Sequence, residues 1–95
     1  MPRMDRLSEY RTTIAANDSG ETVVTYVRTP IVAWTSERVR LRSGGYETVT
    51  TKRKMNQAAR QFSLGYSVYQ RAHEWFVTLP TGETVEFRDG MEFAR

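Results

Sequence analysis

One segment of the chain has the hydrophobic period of a helix, whereas the apolar segments around it have the pattern of strands. Between residues 51 and 64, apolar side chains recur at the spacing of a single helical stripe: Met55, Ala58, Ala59 and Phe62. Thr50 or Thr51 is a suitable N-cap, and Gly65 stands where a left-handed residue ends a helix. The polar residues of the segment are expected to face away from the stripe: Arg53, Asn56, Gln57, Arg60 and Gln61.

The other apolar segments predict strands. In 38–42, Val39 and Leu41 alternate with arginines, and because side chains on a strand alternate between faces, the two apolar residues face a core. Six further segments have the composition of strands: 22–27, 31–34, 46–50, 66–70, 75–79 and 83–87. We predict an α+β fold, in which a twisted antiparallel sheet of five to seven short strands packs around one central helix.

Length and composition indicate one domain. The chain has 95 residues, enough for one core. Residues 1–21 are polar and are expected to form an N-terminal arm, with a short helix around 4–10, before a single domain over 22–95.

The absence of cysteine excludes disulfides and thiolate metal sites. No apolar run approaches the roughly 20 residues that span a bilayer, and no signal core is present, so we expect a cytoplasmic protein without a membrane partner.

Positive charge is concentrated in the middle of the chain. Residues 28–60 carry eight basic and two acidic side chains, whereas acidic side chains outnumber basic ones in 1–27 and in 61–95. Clustered positive charge is typical of a protein that binds a polyanion. The alternative interpretation is a solvated basic face that keeps the protein soluble.

The start of the predicted helix indicates an anion site. A helix N-terminus is electropositive, so basic residues there cost about 0.3–1 kcal/mol each, yet this one carries Lys52, Arg53 and Lys54. An external phosphate or carboxylate would compensate, held by the amides and by threonine hydroxyls. The predicted site comprises Thr50, Thr51, Lys52, Arg53 and Lys54, extended by Arg38, Arg40 and Arg42. The alternative interpretation is that the exposed lysines at the helix start are tolerated at the surface without a ligand.

Two aromatic residues are predicted to face outward. Strand alternation places Tyr69 and Phe76 opposite to their inward-facing neighbours. Exposed rings can stack on bases or anchor a protein partner. The alternative is that the N-terminal arm covers them.

The sequence favours a non-enzymatic protein without metal or cofactor. His73 is the single histidine and is predicted to lie in a hairpin turn, so neither a histidine-based metal cluster nor a catalytic triad is expected. Glu83 and Glu86 are predicted to lie on opposite faces of a strand and to form a solvated acidic surface rather than an acid–base pair.

Several motifs resemble a group of small proteins of tailed bacteriophages and their prophages. The likeness covers roughly residues 23–91 and rests on Ser43-Gly44-Gly45-Tyr46, Thr50-Thr51-Lys52-Arg53-Lys54-Met55-Asn56-Gln57, and segments 61–70, 74–77 and 87–91. Tyr46 replaces an expected tryptophan, and the arm looks longer than usual. The resemblance implies a phage protein made inside a bacterial cell and implies no particular activity.

Two functions fit these features. The first is a phage accessory protein that binds nucleic-acid phosphates through the basic helix start and the arginine-rich strand. The second is a phage inhibitor that binds and disables a host protein, such as a CRISPR defence system or a transcription component. A steep dependence of affinity on salt would favour the first.

Overall fold

The computed structural model describes residues 11–45 and 47–95, which form one helix and eight strands in two antiparallel sheets. The α+β class is therefore confirmed. The first sheet has the strand order β1-β2-β3-β4-β8 and the second has the order β5-β6-β7. The elements are β1 (Thr12–Ala16), β2 (Thr22–Tyr26), β3 (Thr29–Trp34), β4 (Arg38–Leu41), α1 (Val49–Gln61), β5 (Ser67–Arg71), β6 (Glu74–Thr78), β7 (Thr84–Glu86) and β8 (Met91–Ala94).

The strand assignment differs from the sequence prediction in three places, one of which is β8, a strand outside every predicted segment. Residues 12–16, assigned to the polar arm, form β1 and pair with β2, while the helix expected over 4–10 lies outside the described residues. Four of the five β1 residues are exposed, so no buried apolar face marks this segment as a strand in the sequence. The strand predicted over 46–50 is wrong: residues 47 and 48 are irregular, and α1 begins at Val49.

The helix joins the two sheets into one core. It packs against β3 of the first sheet and β5 of the second. In the first sheet, Val24, Val32 and Leu41 lie opposite one another on three neighbouring strands and are fully buried. The core also contains three of the four predicted stripe residues of the helix and the inward side of the second sheet: Met55, Ala58, Ala59, Val68, Trp75 and Val77. Phe62, the fourth stripe residue, is partly buried against this core.

Both helix ends lie earlier in the chain than predicted. Thr48 is the N-cap, and its Oγ1 accepts a hydrogen bond from the Thr51 amide at 3.2 Å. At the other end Ser63, with φ 55°, takes the left-handed position expected for Gly65. The Leu64 amide donates to the Ala59 carbonyl at 2.9 Å, which is the closing bond of a Schellman motif.

Candidate functional site

The start of α1 opens onto a cavity of about 360 Å³. Three segments meet there: the turn between β2 and β3, the turn that follows β4, and the N-cap region of the helix. We call it the helix-start cavity, and its lining residues are Tyr26, Val27, Arg28, Thr29, Ile31, Ser43, Thr48 and Thr51. The 43–45 turn packs tightly on β3, since a Cβ at Gly44 would lie 2.9 Å from the Thr29 Oγ1.

The cavity combines apolar walls with a polar end. Tyr26 and Val27 supply accessible apolar surface, Ile31 is fully buried, and Arg28 supplies a cation. At the helix start, the Thr48 hydroxyl donates to the Thr51 Oγ1 at 3.1 Å. The amides of the first helical turn and the helix dipole make this end electropositive. The arrangement can accept a ligand that has both an apolar and an anionic part.

Lys54 does not belong to the exposed anion site predicted from sequence. Because the helix begins at Val49, the cluster 52–54 follows the first three helical residues, and Lys54 lies on the buried side, with 3% of its surface exposed. Its Nζ stands 5.2 Å from the centre of the Tyr26 ring, a cation–π contact. Burial lowers the pKa of the Lys54 ammonium.

Arg38 and Arg40 are engaged in ion pairs rather than gathered at the helix start. Arg40 donates two hydrogen bonds to the Glu21 carboxylate, at 2.9 and 3.0 Å. Arg38 Nε lies 3.3 Å from the Glu92 carboxylate. Hydrogen bonds from Asn17 and Arg40 hold the pKa of Glu21 below its ordinary value. Both carboxylates come from sequence-distant segments, so the alternating pattern of β4 could not reveal the pairing.

Three cations line the helix-start cavity or adjoin its lining residues in the sequence. Arg28 lines it, Arg42 precedes its lining residue Ser43, and Lys52 follows Thr51. No salt bridge within 11–45 and 47–95 involves any of the three. Arg42, Lys52 and the exposed Arg53 were in the predicted set. Arg28 entered the sequence prediction only through its charge, because nothing in the sequence pattern predicts which side chains border a cavity.

A carboxylate contact fixes the turn beside the cavity. Asp89 accepts hydrogen bonds from the amides of Ser43 at 2.7 Å, Gly45 at 3.1 Å and Gly44 at 3.4 Å, and from the Ser43 hydroxyl at 3.0 Å. Partial burial raises the pKa of Asp89, but these hydrogen bonds together outweigh burial and lower it. Asp89 therefore connects the C-terminal part of the chain to the 43–45 turn, which borders the helix-start cavity.

Comparison with known proteins places the chain in a family. The family description "Kyanoviridae Gp96 protein" matches residues 2–94. The chain belongs to the Kyanoviridae Gp96 family. This is a family of phage proteins, so the phage origin implied by the resemblance is confirmed. The match includes the segment 2–21 that was set apart as an arm. No curated protein and no solved structure gives a significant match.

The two outward aromatic residues of this Gp96 family protein lie on the second sheet. Tyr69 and Phe76 are cross-strand neighbours, half-buried, with ring centroids 5.7 Å apart and planes inclined by 26°. They alternate with the buried Trp75 and Val77 and line no part of the helix-start cavity. The two rings therefore stack on each other and lie outside the helix-start cavity.

The described residues form neither a metal-binding group of side chains nor a membrane-spanning helix. Within them, no three histidine or acidic side chains are grouped so that they could hold a metal ion. No helix in the described part of the chain is long and apolar enough to cross a bilayer.

The Asp89 contact should make stability depend on acidic pH. The folded-state pKa of Asp89 is lowered, so its contribution is present above the unfolded-state pKa and is lost as pH falls through the folded-state value. We expect the free energy of unfolding, measured by urea denaturation across pH 2 to 6, to fall less steeply in Asp89→Asn than in the wild type. Asp18→Asn, in the exposed β1–β2 turn, is the matched control, and an equal flattening by both variants would contradict the assignment.

Proposed function

We propose that this phage protein is a non-enzymatic accessory protein that binds nucleic-acid phosphates at the helix-start cavity, inside the bacterial host. One observation carries the proposal: an electropositive helix start opens onto an apolar cavity lined by one cation, two further cations adjoin its lining residues in the sequence, and none of the three forms a salt bridge among the described residues. The cations are Arg28, Arg42 and Lys52, and Arg53 extends the surface along the helix.

The chemistry of the cavity favours single-stranded nucleic acid. A phosphate at the helix start would receive amide hydrogen bonds and would neutralise the adjacent cations. The apolar wall of Tyr26 and Val27 offers a surface for an unstacked base, and about 360 Å³ is at the small end of ligand pockets. Bases in an intact duplex cannot enter such a pocket, so we expect single strands to bind more tightly than duplex.

Charge-removal variants test the site directly. Arg28→Ala and Lys52→Ala should each lower the affinity for a labelled single-stranded oligonucleotide by roughly tenfold, measured by fluorescence anisotropy at low salt. Each should also reduce the slope of log affinity against log salt by up to about one, because one phosphate contact is lost. Arg38→Ala is the matched control, since it removes the same charge from a side chain that is paired with Glu92.

Comparing the affinities of these variants shows where the oligonucleotide binds as well as whether it binds. If Arg38→Ala weakens binding as much as the other two, attraction is spread over the whole basic surface and the cavity has no special role. Absence of measurable binding at low salt by the wild type would end the proposal.

A second candidate, inhibition of a host protein, is favoured by exposed apolar side chains beside the same cations. Val27 is 53% exposed and Val49 is 58% exposed. Val27 also has φ 59°, an uncommon conformation for a β-branched residue. Such a mixture of apolar and cationic side chains suits an acidic protein surface. Affinity capture from host extract should then give one partner that survives nuclease treatment and is lost in Val49→Asp.

A further inference from the structure

The turn between β2 and β3 holds a β-branched residue in a conformation that normally requires glycine. Tyr26 pairs with Thr29, so the loop consists of Val27 and Arg28 alone. Val27 has φ 59°, whereas the φ of Arg28 is not positive. In a two-residue hairpin loop with a positive φ at its first position only, that position is normally glycine. The backbone of Val27 is therefore strained.

Strand β3 is irregular next to this turn. The register of β2 against β3 shifts between Val24 and Thr25, which leaves Ile31 as an extra residue on β3. Such a bulge redirects the residues beside it, and bulges are frequent next to functional sites. Ile31 and both turn residues line the helix-start cavity. Two separate irregularities of the backbone thus occur where this hairpin meets the cavity.

Contacts from several sides hold the strained turn in place. The Val27 amide donates a hydrogen bond to the Arg11 carbonyl at 2.8 Å. Thr29 packs so closely against the next turn that a Cβ at Gly44 would lie 2.9 Å from its Oγ1. The ring of Tyr26 is held by the cation–π contact described above. Strained residues persist only where the surrounding structure fixes them in this way, and they are concentrated at ligand-binding sites.

Packing does not account for a valine at position 27. Its side chain is 53% exposed and lies outside the hydrophobic core that the described residues form. A glycine would give the same backbone without the strain. Val27 instead lines the cavity together with Tyr26 and Arg28. The side chain is therefore available to a ligand in the cavity.

Given the nucleic-acid binding proposed above, on which this step rests, we propose that Val27 contacts a base of the single strand and that Arg28 pairs with the phosphate of the same nucleotide. The two residues form one loop, so one nucleotide can reach both. Its base lies against Val27 and Tyr26, which is a sequence-tolerant contact, because every base presents an apolar face. Its phosphate is neutralised by the guanidinium.

Val27→Asn separates binding from stability. Asparagine tolerates the left-handed conformation better than valine, so the variant should melt roughly 4–8 °C above the wild type. It removes the apolar contact and should lower the affinity for a labelled single-stranded oligonucleotide about five- to tenfold in fluorescence anisotropy. No charge changes, so the slope of log affinity against log salt should equal that of the wild type, unlike the slope of Arg28→Ala.

A second left-handed residue provides the control. Ala72 has φ 53° in the exposed turn between β5 and β6 and does not line the cavity. Ala72→Asn should also raise the melting temperature but leave the affinity unchanged, so a gain in stability alone cannot explain weaker binding by Val27→Asn.

Three results would overturn the assignment of Val27. A lower melting temperature of Val27→Asn would mean that the valine serves the fold. An unchanged oligonucleotide affinity would mean that it touches no base, and loss of a nuclease-resistant host partner in the same variant would then assign it to a protein interface. Equal loss of affinity in Ala72→Asn would mean that the effect is not local. Absence of oligonucleotide binding by the wild type would end the proposed function itself, and this assignment with it.

Discussion

Lys54→Glu is expected to destabilise the protein by about 3–5 kcal/mol, the range found when a buried charge is left without compensation. Lys54 is 3% exposed and faces the Tyr26 ring, whose electron-rich face attracts a cation and repels a carboxylate. Lys52→Glu, two residues earlier and partly exposed, should instead stabilise by about 0.3–1 kcal/mol, because the helix start favours negative charge. Urea denaturation of the two variants measures both effects.

The contrast between these two lysines separates a structural role from a binding role. Lys54→Met keeps a long side chain in the core and should lose much less stability than Lys54→Glu. The gain from Lys52→Glu should shrink at high salt, since salt screens charges at the surface. If Lys54→Glu were as stable as Lys52→Glu, Lys54 would have to lie at the surface, and its exclusion from the anion site would be wrong.

Periodicity alone predicted which apolar side chains form the core. Val39, Leu41, Met55 and Trp75 are buried as expected, because the period of a strand or helix fixes which side chains share a face. Periodicity did not predict the burial of polar residues of the helix. Gln57 was expected to face away from the stripe, yet it is buried. A sequence pattern assigns polar residues to the surface by type, whereas the packing of two sheets on one helix covers more than one stripe.

Long-range pairing could not be predicted from the sequence. Strand β4 pairs with β8, and the helix and the whole second sheet lie between them in the chain. Hydrophobic alternation identifies a strand but carries no information about its partner, so one sheet was expected where two exist. The candidate site depends on the same long-range contacts. Asp89 fixes the 43–45 turn, and Glu21 and Glu92 remove Arg40 and Arg38 from the cation cluster.

Asn56 is the side chain through which the helix holds the second sheet, and its replacement should be costly. Its Nδ2 donates to the Val68 carbonyl at 2.8 Å, and its Oδ1 accepts from the Val68 amide at 2.7 Å. Val68 is 2% exposed, so both backbone groups lose their partner in a poorly solvated place. With about 1–3 kcal/mol for each unpaired group, Asn56→Ala should rank among the most damaging single changes to a polar residue.

In Asn56→Asp, one of the two hydrogen bonds with Val68 is kept at every pH and the other forms only when the acid is protonated. The carboxylate still accepts from the Val68 amide, but its second oxygen replaces the donor and faces the Val68 carbonyl. At neutral pH we expect a loss of about 3 kcal/mol in the free energy of unfolding. The protonated acid can donate to that carbonyl, so the pKa of the introduced group is raised in the folded state and the lost stability returns as pH falls through that value. Gln70→Glu, the same amide-to-acid change at an exposed position of β5, should lose no more than about 0.5 kcal/mol and show no such recovery. Denaturation curves at pH 7 and pH 4 measure the difference, and equal behaviour of the two variants would mean that Asn56 does not bridge the helix and β5.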